Sequence, residues 1–273
     1  MRVVVTGGSG KAGRAVTRDL VEHGYKVTNV DRVTDADPVC SYRQANLDEL
    51  GQAVETIAGC DAVVHLAAIP RPYLATDEAT FRTNVASTFN VFSAACMLGV
   101  ARVVWASSET TMGLPFDDAK PYFPIDEGQA TIAKSTYALS KVLGEEMARY
   151  FSSQFGVPFV GLRISNVFDD DDYGRVPGFQ ADARMRSFNA WSYVDRRDVA
   201  QACRRGLETS TEGADVFIIA AADTVMSRTN ADLIAEVFPN VPLRAGVGEH
   251  ETLQSIDKAR RVLGYEPVHT WRV

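Results

Sequence analysis

Three side chains in the middle of the chain have the types and spacing for proton transfer. Ser108 lies in Ser107-Ser108-Glu109-Thr110, and Tyr137 and Lys141 in Tyr137-Ala138-Leu139-Ser140-Lys141. A tyrosine and a lysine at i and i+4 share one face of a helix, one turn apart. A phenol titrates near pH ~10, too high for a base at neutral pH, but a neighbouring ammonium favours the phenolate. The pair therefore suits removal of a proton from a substrate hydroxyl, with Ser108 holding the oxygen. Alone, Y-x-x-x-K is a common surface pair. Its weight comes from what precedes it.

The chain opens with an apolar β-branched run and a glycine triplet, Val3-Val4-Val5-Thr6-Gly7-Gly8-Ser9-Gly10-Lys11-Ala12-Gly13. It reads as strand, turn, helix. Gly7 permits the sharp turn off the strand, Gly10 lets backbone approach a pyrophosphate, and Gly13 lets the helix pack closely on the sheet. The helix N-terminus, with Lys11 and Ala12, offers unpaired N–H groups and the positive end of its dipole to phosphates. A second β-like run, Lys26 to Val30, ends in Asp31, placed for hydrogen bonds to the adenosine ribose hydroxyls. A carboxylate there repels a 2′-phosphate and favours NAD over NADP, while the adjacent Arg32 is the group that would admit the phosphate. A positively charged nicotinamide ring would further favour the Tyr137 phenolate, and Lys141 would also bind the nicotinamide ribose.

These residues need a scaffold that brings several strand ends together. Strand-like runs at 2–6, 26–30, 61–66, 101–107 and 158–163 alternate with helical patterns. That alternation predicts an α/β fold, a Rossmann-type doubly wound parallel sheet with right-handed crossovers. The run at 101–107 then delivers Ser108 to the carboxyl edge of the sheet, where such folds place reactive groups. The run at 61–66 delivers Leu66, Ala67 and Ala68 beside the glycine loop, and His65, inside the apolar run, reads as a satisfied core histidine. A proline-stiffened loop follows, Ile69-Pro70-Arg71-Pro72-Tyr73, in which Ile69 and Arg71 can face a substrate. Asn84, a poor helix former inside a helical pattern at 76–98, hints at a hydrogen-bonding task. Residues 1–165 form the expected dinucleotide-binding core, and 166–273 a mixed region of late core elements and a small C-terminal substrate lobe.

The 273 residues carry 46% hydrophobic and 23% charged side chains with a net charge of -7, which suits a globular chain and argues against nucleic acid or anionic membrane as the main partner. Cys40, Cys60, Cys96 and Cys203 follow no metal-ligand spacing and read as thiols of a reducing cytoplasm. No run reaches membrane-spanning length, and no metal is expected.

Together, TGGSGKAG, HLAA, YALSK, TNVASTFNVFSAA, LRISNVF, SYVDRRDVAQA and LQSIDKARRVLGYEP cover nearly the whole chain. They resemble the extended short-chain dehydrogenase/reductase superfamily, and within it the NAD-dependent epimerase/dehydratase family. The resemblance implies Ser108, Tyr137 and Lys141 as the catalytic set, with Tyr137 as general acid/base. The pattern is most similar to the uronate dehydrogenases, which implies a small sugar-derived substrate. Asn166, Glu109 and Thr110 then fall in the substrate region, and Arg175, Arg184 or Arg186 would meet a substrate anion. The resemblance also implies a homodimer through helices at about 76–98 and 135–152, with Phe89, Phe92, Met97, Leu143 and Met147 as apolar candidates.

Three positions depart from the family pattern. Asn46, before Leu47, replaces the acidic residue at the adenine. Met112-Gly113 replaces a tyrosine-glycine and removes an aromatic wall. Asp169-Asp170-Asp171-Asp172 stands where glycine and proline are usual and reads as a solvated loop, since four carboxylates facing the pocket would repel an anionic substrate; a Ca²⁺ site there lacks the ligand spacing of a recognised loop. Two other readings share the motifs. One is a nucleotide-sugar epimerase or dehydratase with tightly held NAD; for the dehydratase Glu109 is present, but the preceding position is Ser108 rather than Asp. The other is a non-enzymatic dinucleotide sensor, against which intact Tyr137 and Lys141 count.

Overall fold

A computed structural model describes residues 1–117 and 119–272. The chain runs β1 (Arg2–Thr6), α1 (Lys11–Glu22), β2 (Lys26–Asp31), β3 (Ser41–Gln44), α2 (Leu50–Ile57), β4 (Ala62–His65), α3 (Asp77–Met97) and β5 (Arg102–Ser108). It continues through α4 (Thr136–Phe155), β6 (Phe159–Ile164), β7 (Val167–Phe168), α5 (Asp170–Tyr173), β8 (Val194–Asp195), α6 (Arg196–Glu208), β9 (Ala214–Ile219), α7 (Asn230–Val237) and α8 (Asp257–Leu263). Seven strands form one parallel sheet in the order β3-β2-β1-β4-β5-β6-β9, and β7 pairs with β8 separately. The order reverses between β1 and β4, so a crevice opens there at the carboxyl ends of the strands.

Alternation along the strands buries both faces. Val3 and Val5 join a core under α1 and α6, whereas Val4 joins the opposite core with Phe92 and Phe151 of α3 and α4. Trp105 of β5 fills the second core so tightly that a Cβ on Gly144 would stand 2.9 Å from its ring, which seats α4 directly against the strand. His65 is buried and neutral: Nδ1 lies 2.7 Å from Thr6 Oγ1 and Nε2 3.3 Å from Thr88 Oγ1. Burial, helped by the charge of Lys141, pushes its pKa down to about 3.

The strand β3 carries no apolar alternation to betray it, because Ser41-Tyr42-Arg43-Gln44 is a largely exposed edge fixed by pairing with β2. The acidic run is likewise more ordered than a solvated loop. Asp169 caps the short α5 with a reciprocal capping box, and Lys11 of the glycine turn pairs with Asp169 at 3.0 Å and with Asp172. Phe92 is fully buried and so withdrawn from any contact through α3, whereas Phe89 and Met97 are exposed. No helix among the described residues is long and apolar enough to cross a membrane. Nor do the described residues gather three or more His, Cys, Asp or Glu groups fit for a metal.

Candidate active site

At the start of the crevice the backbone makes room for a ligand. Gly7 turns off β1 with φ 73°, and a Cβ on Gly13 would stand 2.1 Å from the Gly7 carbonyl oxygen. Any larger residue would push the turn and helix apart. The turn ends at Gly10, the N-cap of α1, which has no side chain to satisfy the helix N–H groups. Asp31, at the end of β2, is already oriented: its carboxylate accepts from Ser9 N at 3.1 Å and from Arg32 N at 2.7 Å. The Arg32 guanidinium turns to Asp48 at 2.7 Å and to Asn46.

The crevice is one cleft of about 1240 Å³. Most of the residues expected from the sequence meet in it: Gly7, Gly10, Lys11, Ala12 and Gly13 of the turn, Asp31, Arg32 and Leu47 beside it, and Leu66, Ala67, Ala68, Ile69 and Arg71 after β4. Ser108, Glu109 and Thr110 enter from β5, Tyr137 and Lys141 from α4, and Asn166 and Arg175 after β6. The volume exceeds that of a drug-sized pocket and suits a dinucleotide with a small second molecule. The glycine cradle, the bare helix end and the oriented carboxylate are the features a dinucleotide requires, so the residues present fit it.

Asn46 lies instead in an adjoining hollow with Asp48 and Arg82. Asn84 is buried behind the cleft: it accepts from Ile69 N at 2.8 Å and donates to Ile69 O at 3.1 Å and Ser140 Oγ at 3.3 Å. It therefore fixes the loop after β4 to the helix that carries Tyr137. Of the expected anion-binding arginines, Arg184 points away and pairs with Glu236 at 3.3 Å. Arg186 is also outside the lining, sheathed by the rings of Phe168, Phe179 and Phe188 and donating to Ser192 O at 3.0 Å. Met112 is fully buried, and the cleft is walled there by Leu114, Pro115 and Phe188.

Ser135 caps α4 by accepting from Ala138 N at 3.1 Å, which places Tyr137 in the first turn and Lys141 one turn on. Ser108 Oγ accepts from Thr110 N at 3.2 Å and Thr110 Oγ1 at 3.0 Å. Its own proton is thereby left to point at Tyr137, with which it shares a hydrogen bond. Burial nonetheless pushes the Tyr137 phenol up to about 12, against the Ser108 bond and with the Glu109 carboxylate adding to the rise. In the chain by itself Lys141 does not offset that rise: its ammonium donates to the Ala106 carbonyl at 2.8 Å, and burial lowers its own pKa to about 8.

That depression has a measurable sign. An unfolded lysine titrates near ~10.4, so between about 8 and that value the unfolded chain binds more protons and stability rises with pH. Below about 8 the cost of the buried ammonium is fully present. Relative to Lys141→Met, the wild type is expected to gain thermal stability as pH climbs through this window, and parallel melting curves across it would contradict the assignment.

Sequence reasoning missed the groups that hold Glu109. Its buried carboxylate accepts from Ser165 Oγ at 2.8 Å, Gln254 Nε2 at 2.6 Å and Asn189 Nδ2 at 3.1 Å, while burial raises its pKa. The donors come from three distant segments, and only the amide types in Arg184-Met185-Arg186-Ser187-Phe188-Asn189 and Thr252-Leu253-Gln254 offered any signal.

Residues 3–220 match the model of the NAD dependent epimerase/dehydratase family. An L-arabinose 1-dehydrogenase (NAD(P)(+)) of Haloferax volcanii is 28% identical over 77% of this chain and 83% of its own length. A uronate dehydrogenase of Pseudomonas putida is 27% identical over 78% of this chain and 73% of its own. A crystal structure of a UDP-galactose 4-epimerase superposes with a TM-score of 0.74 at 27% identity, covering 99% of this chain and 94% of that one. With a glycine turn, an oriented Asp31 and a Ser-Tyr-Lys set around one cleft, the chain belongs to the NAD dependent epimerase/dehydratase family, within the extended short-chain dehydrogenases/reductases.

Proposed function

We propose that the protein is a dehydrogenase that oxidises a hydroxyl-bearing carbon of a small sugar or sugar acid, with NAD as its cofactor. The observation that carries this reading is the meeting of Ser108, Tyr137 and Lys141 at the carboxyl end of β5, in the same cleft as the glycine turn. Hydride acceptance from the substrate carbon is the chemistry the dinucleotide supplies when bound. Ser108 holds the substrate hydroxyl and presents it to Tyr137, which takes the hydroxyl proton as its phenolate, a form that the positive charge of a bound dinucleotide would favour against the burial of the ring. Lys141, one turn away, holds a positive charge beside the ring, its Nζ 5.8 Å from the Tyr137 centroid. Enclosure keeps the group dry, since Ser108, Tyr137 and Lys141 are all buried.

Asp31 supports NAD over NADP, because its carboxylate stands in the cleft while the neighbouring Arg32 charge is offset by Asp48. Replacing Asp31 by alanine is expected to lower the ratio of kcat/KM for NAD to that for NADP by roughly 10- to 100-fold, the worth of hydrogen bonds to a charged group. An unchanged ratio would place cofactor selection elsewhere.

The test of function is NADH absorbance on mixing the protein with NAD and a panel of aldoses, uronic acids and polyols. Net NADH supports the dehydrogenase. A second reading, a nucleotide-sugar epimerase that returns its hydride, draws on the 94% coverage of the epimerase structure. It requires the opposite result, dinucleotide released only on denaturation and no net NADH. In either case we propose a homodimer paired through α3 and α4, where Phe89, Met97 and Tyr150 present exposed apolar surface.

A further inference from the structure

We propose that Arg71 reads a negative charge on the substrate, so that the reacting sugar is an anion bearing a carboxylate or a phosphate. The inference rests on the reading above that a small sugar binds beside Ser108 and Tyr137, and it adds the class of that sugar. Six cationic side chains line the cleft: Lys11, Arg32, Arg71, Lys134, Lys141 and Arg175. Four of them already face a carboxylate of the chain. Lys11 meets Asp169 at 3.0 Å, Arg32 meets Asp48 at 2.7 Å, Lys134 meets Asp117 at 2.8 Å, and Arg175 meets Asp172 at 3.3 Å. Lys141 is committed to the Ala106 carbonyl at 2.8 Å. Among the described residues Arg71 has no hydrogen-bond or ion-pair partner, so it is the cleft cation whose charge is left for a ligand.

An exposed arginine needs no protein partner, and exposure alone would mean nothing. Arg71 differs in how its backbone is held. Asn84 grips both the N–H and the C=O of Ile69, at 2.8 and 3.1 Å, and reaches Ser140 on α4 at 3.3 Å. The loop base is thus tied to the helix of Tyr137 and Lys141. Pro70 and Pro72 then fix φ on either side of Arg71, and proline at 72 disfavours helical backbone at Arg71. From a backbone held in this way the guanidinium can take a planar or tetrahedral anion in a bidentate grip. Arg184 and Arg186, the other arginines expected to meet an anion, lie outside the lining of the cleft.

The experiment compares an aldose, its uronic acid and its phosphate ester as substrates for the wild type, Arg71→Gln and Arg71→Lys. The wild type is expected to favour one anion over the neutral aldose by at least tenfold in kcat/KM. Arg71→Gln is expected to erase that preference through KM, leaving kcat and the KM for NAD in place, and Arg71→Lys to restore part of it. Which anion is preferred tells carboxylate from phosphate. A neutral sugar used as well as either anion, or a preference that survives in Arg71→Gln, overturns the proposal. A rise confined to the KM for NAD also overturns it, by placing the guanidinium on the dinucleotide phosphates. If no sugar yields NADH, the dehydrogenase reading fails by itself. Calorimetric titration of the NAD-loaded protein with the same three sugars then decides the role of Arg71: tighter anion binding lost in Arg71→Gln supports it, and equal binding rejects it.

Discussion

Replacing Tyr137 by phenylalanine is expected to lower kcat by roughly 10³-fold, within the range that a positioned acid–base group contributes, while the dinucleotide still binds. The substitution deletes one oxygen from a buried ring and opens no large cavity. Ser108 keeps the two hydrogen bonds it accepts from Thr110, so the oxygen-holding half of the site remains in place. What disappears is the phenol that shares the cleft with Ser108 and Lys141. The measurement is steady-state NADH formation on whichever sugar the wild type uses, with dinucleotide affinity measured in parallel. If kcat falls less than tenfold, the proton is moved by another group. Glu109 would then be the first to examine, since burial raises its pKa and it stands beside Tyr137.

Removing one partner of the Glu145–Arg163 pair is expected to be the most damaging change to stability. The carboxylate and guanidinium meet in parallel at 2.9 and 2.8 Å, and the side chains are only 1% and 4% exposed. Ser107 adds a third bond to the same carboxylate at 2.7 Å. Glu145→Ala would leave the Arg163 charge buried and unpaired, at a cost of about 3–5 kcal/mol, a large share of the ~5–15 kcal/mol that holds a typical domain. Urea unfolding reads the loss as a lower midpoint. The double replacement Glu145→Leu with Arg163→Leu should be more stable than either single change, because it removes both charges together. A double variant worse than both singles would show that the pair contributes more than the relief of its own burial. The pair also ties α4, β5 and β6 together just below Lys141 and Ser108, so the single variants should lose activity before they unfold.

The parts of this site legible in the sequence are those whose geometry is local. A glycine turn, a strand ending in Asp31, and a tyrosine with a lysine one turn away carry their spatial relation in their spacing. So did the apolar runs of the buried strands, whereas β3 escaped notice because an exposed edge strand needs no apolar face. The arginines failed for the opposite reason. Nothing in the spacing of Arg184 and Arg186 could reveal that Phe168, Phe179 and Phe188 enclose one and Glu236 holds the other. Proximity of Tyr137 to Lys141 was legible in the spacing, whereas the desolvation that raises the phenol in the chain alone is a product of packing.

The contact between Lys11 and the acidic turn of α5 changes what that lysine is for. A phosphate arriving at Gly10 does not meet a bare ammonium, since Lys11 is already shared by Asp169 and Asp172. Attraction at this end comes mainly from backbone N–H groups and the helix dipole, which no side-chain substitution removes. Two carboxylates beside a pyrophosphate would otherwise be a barrier, and within a Debye length of ~8 Å salt would do little to hide them. Lys11 is a counterion built into the chain, and on the proposed reading it quiets the acidic neighbour beside which an anionic guest would be seated.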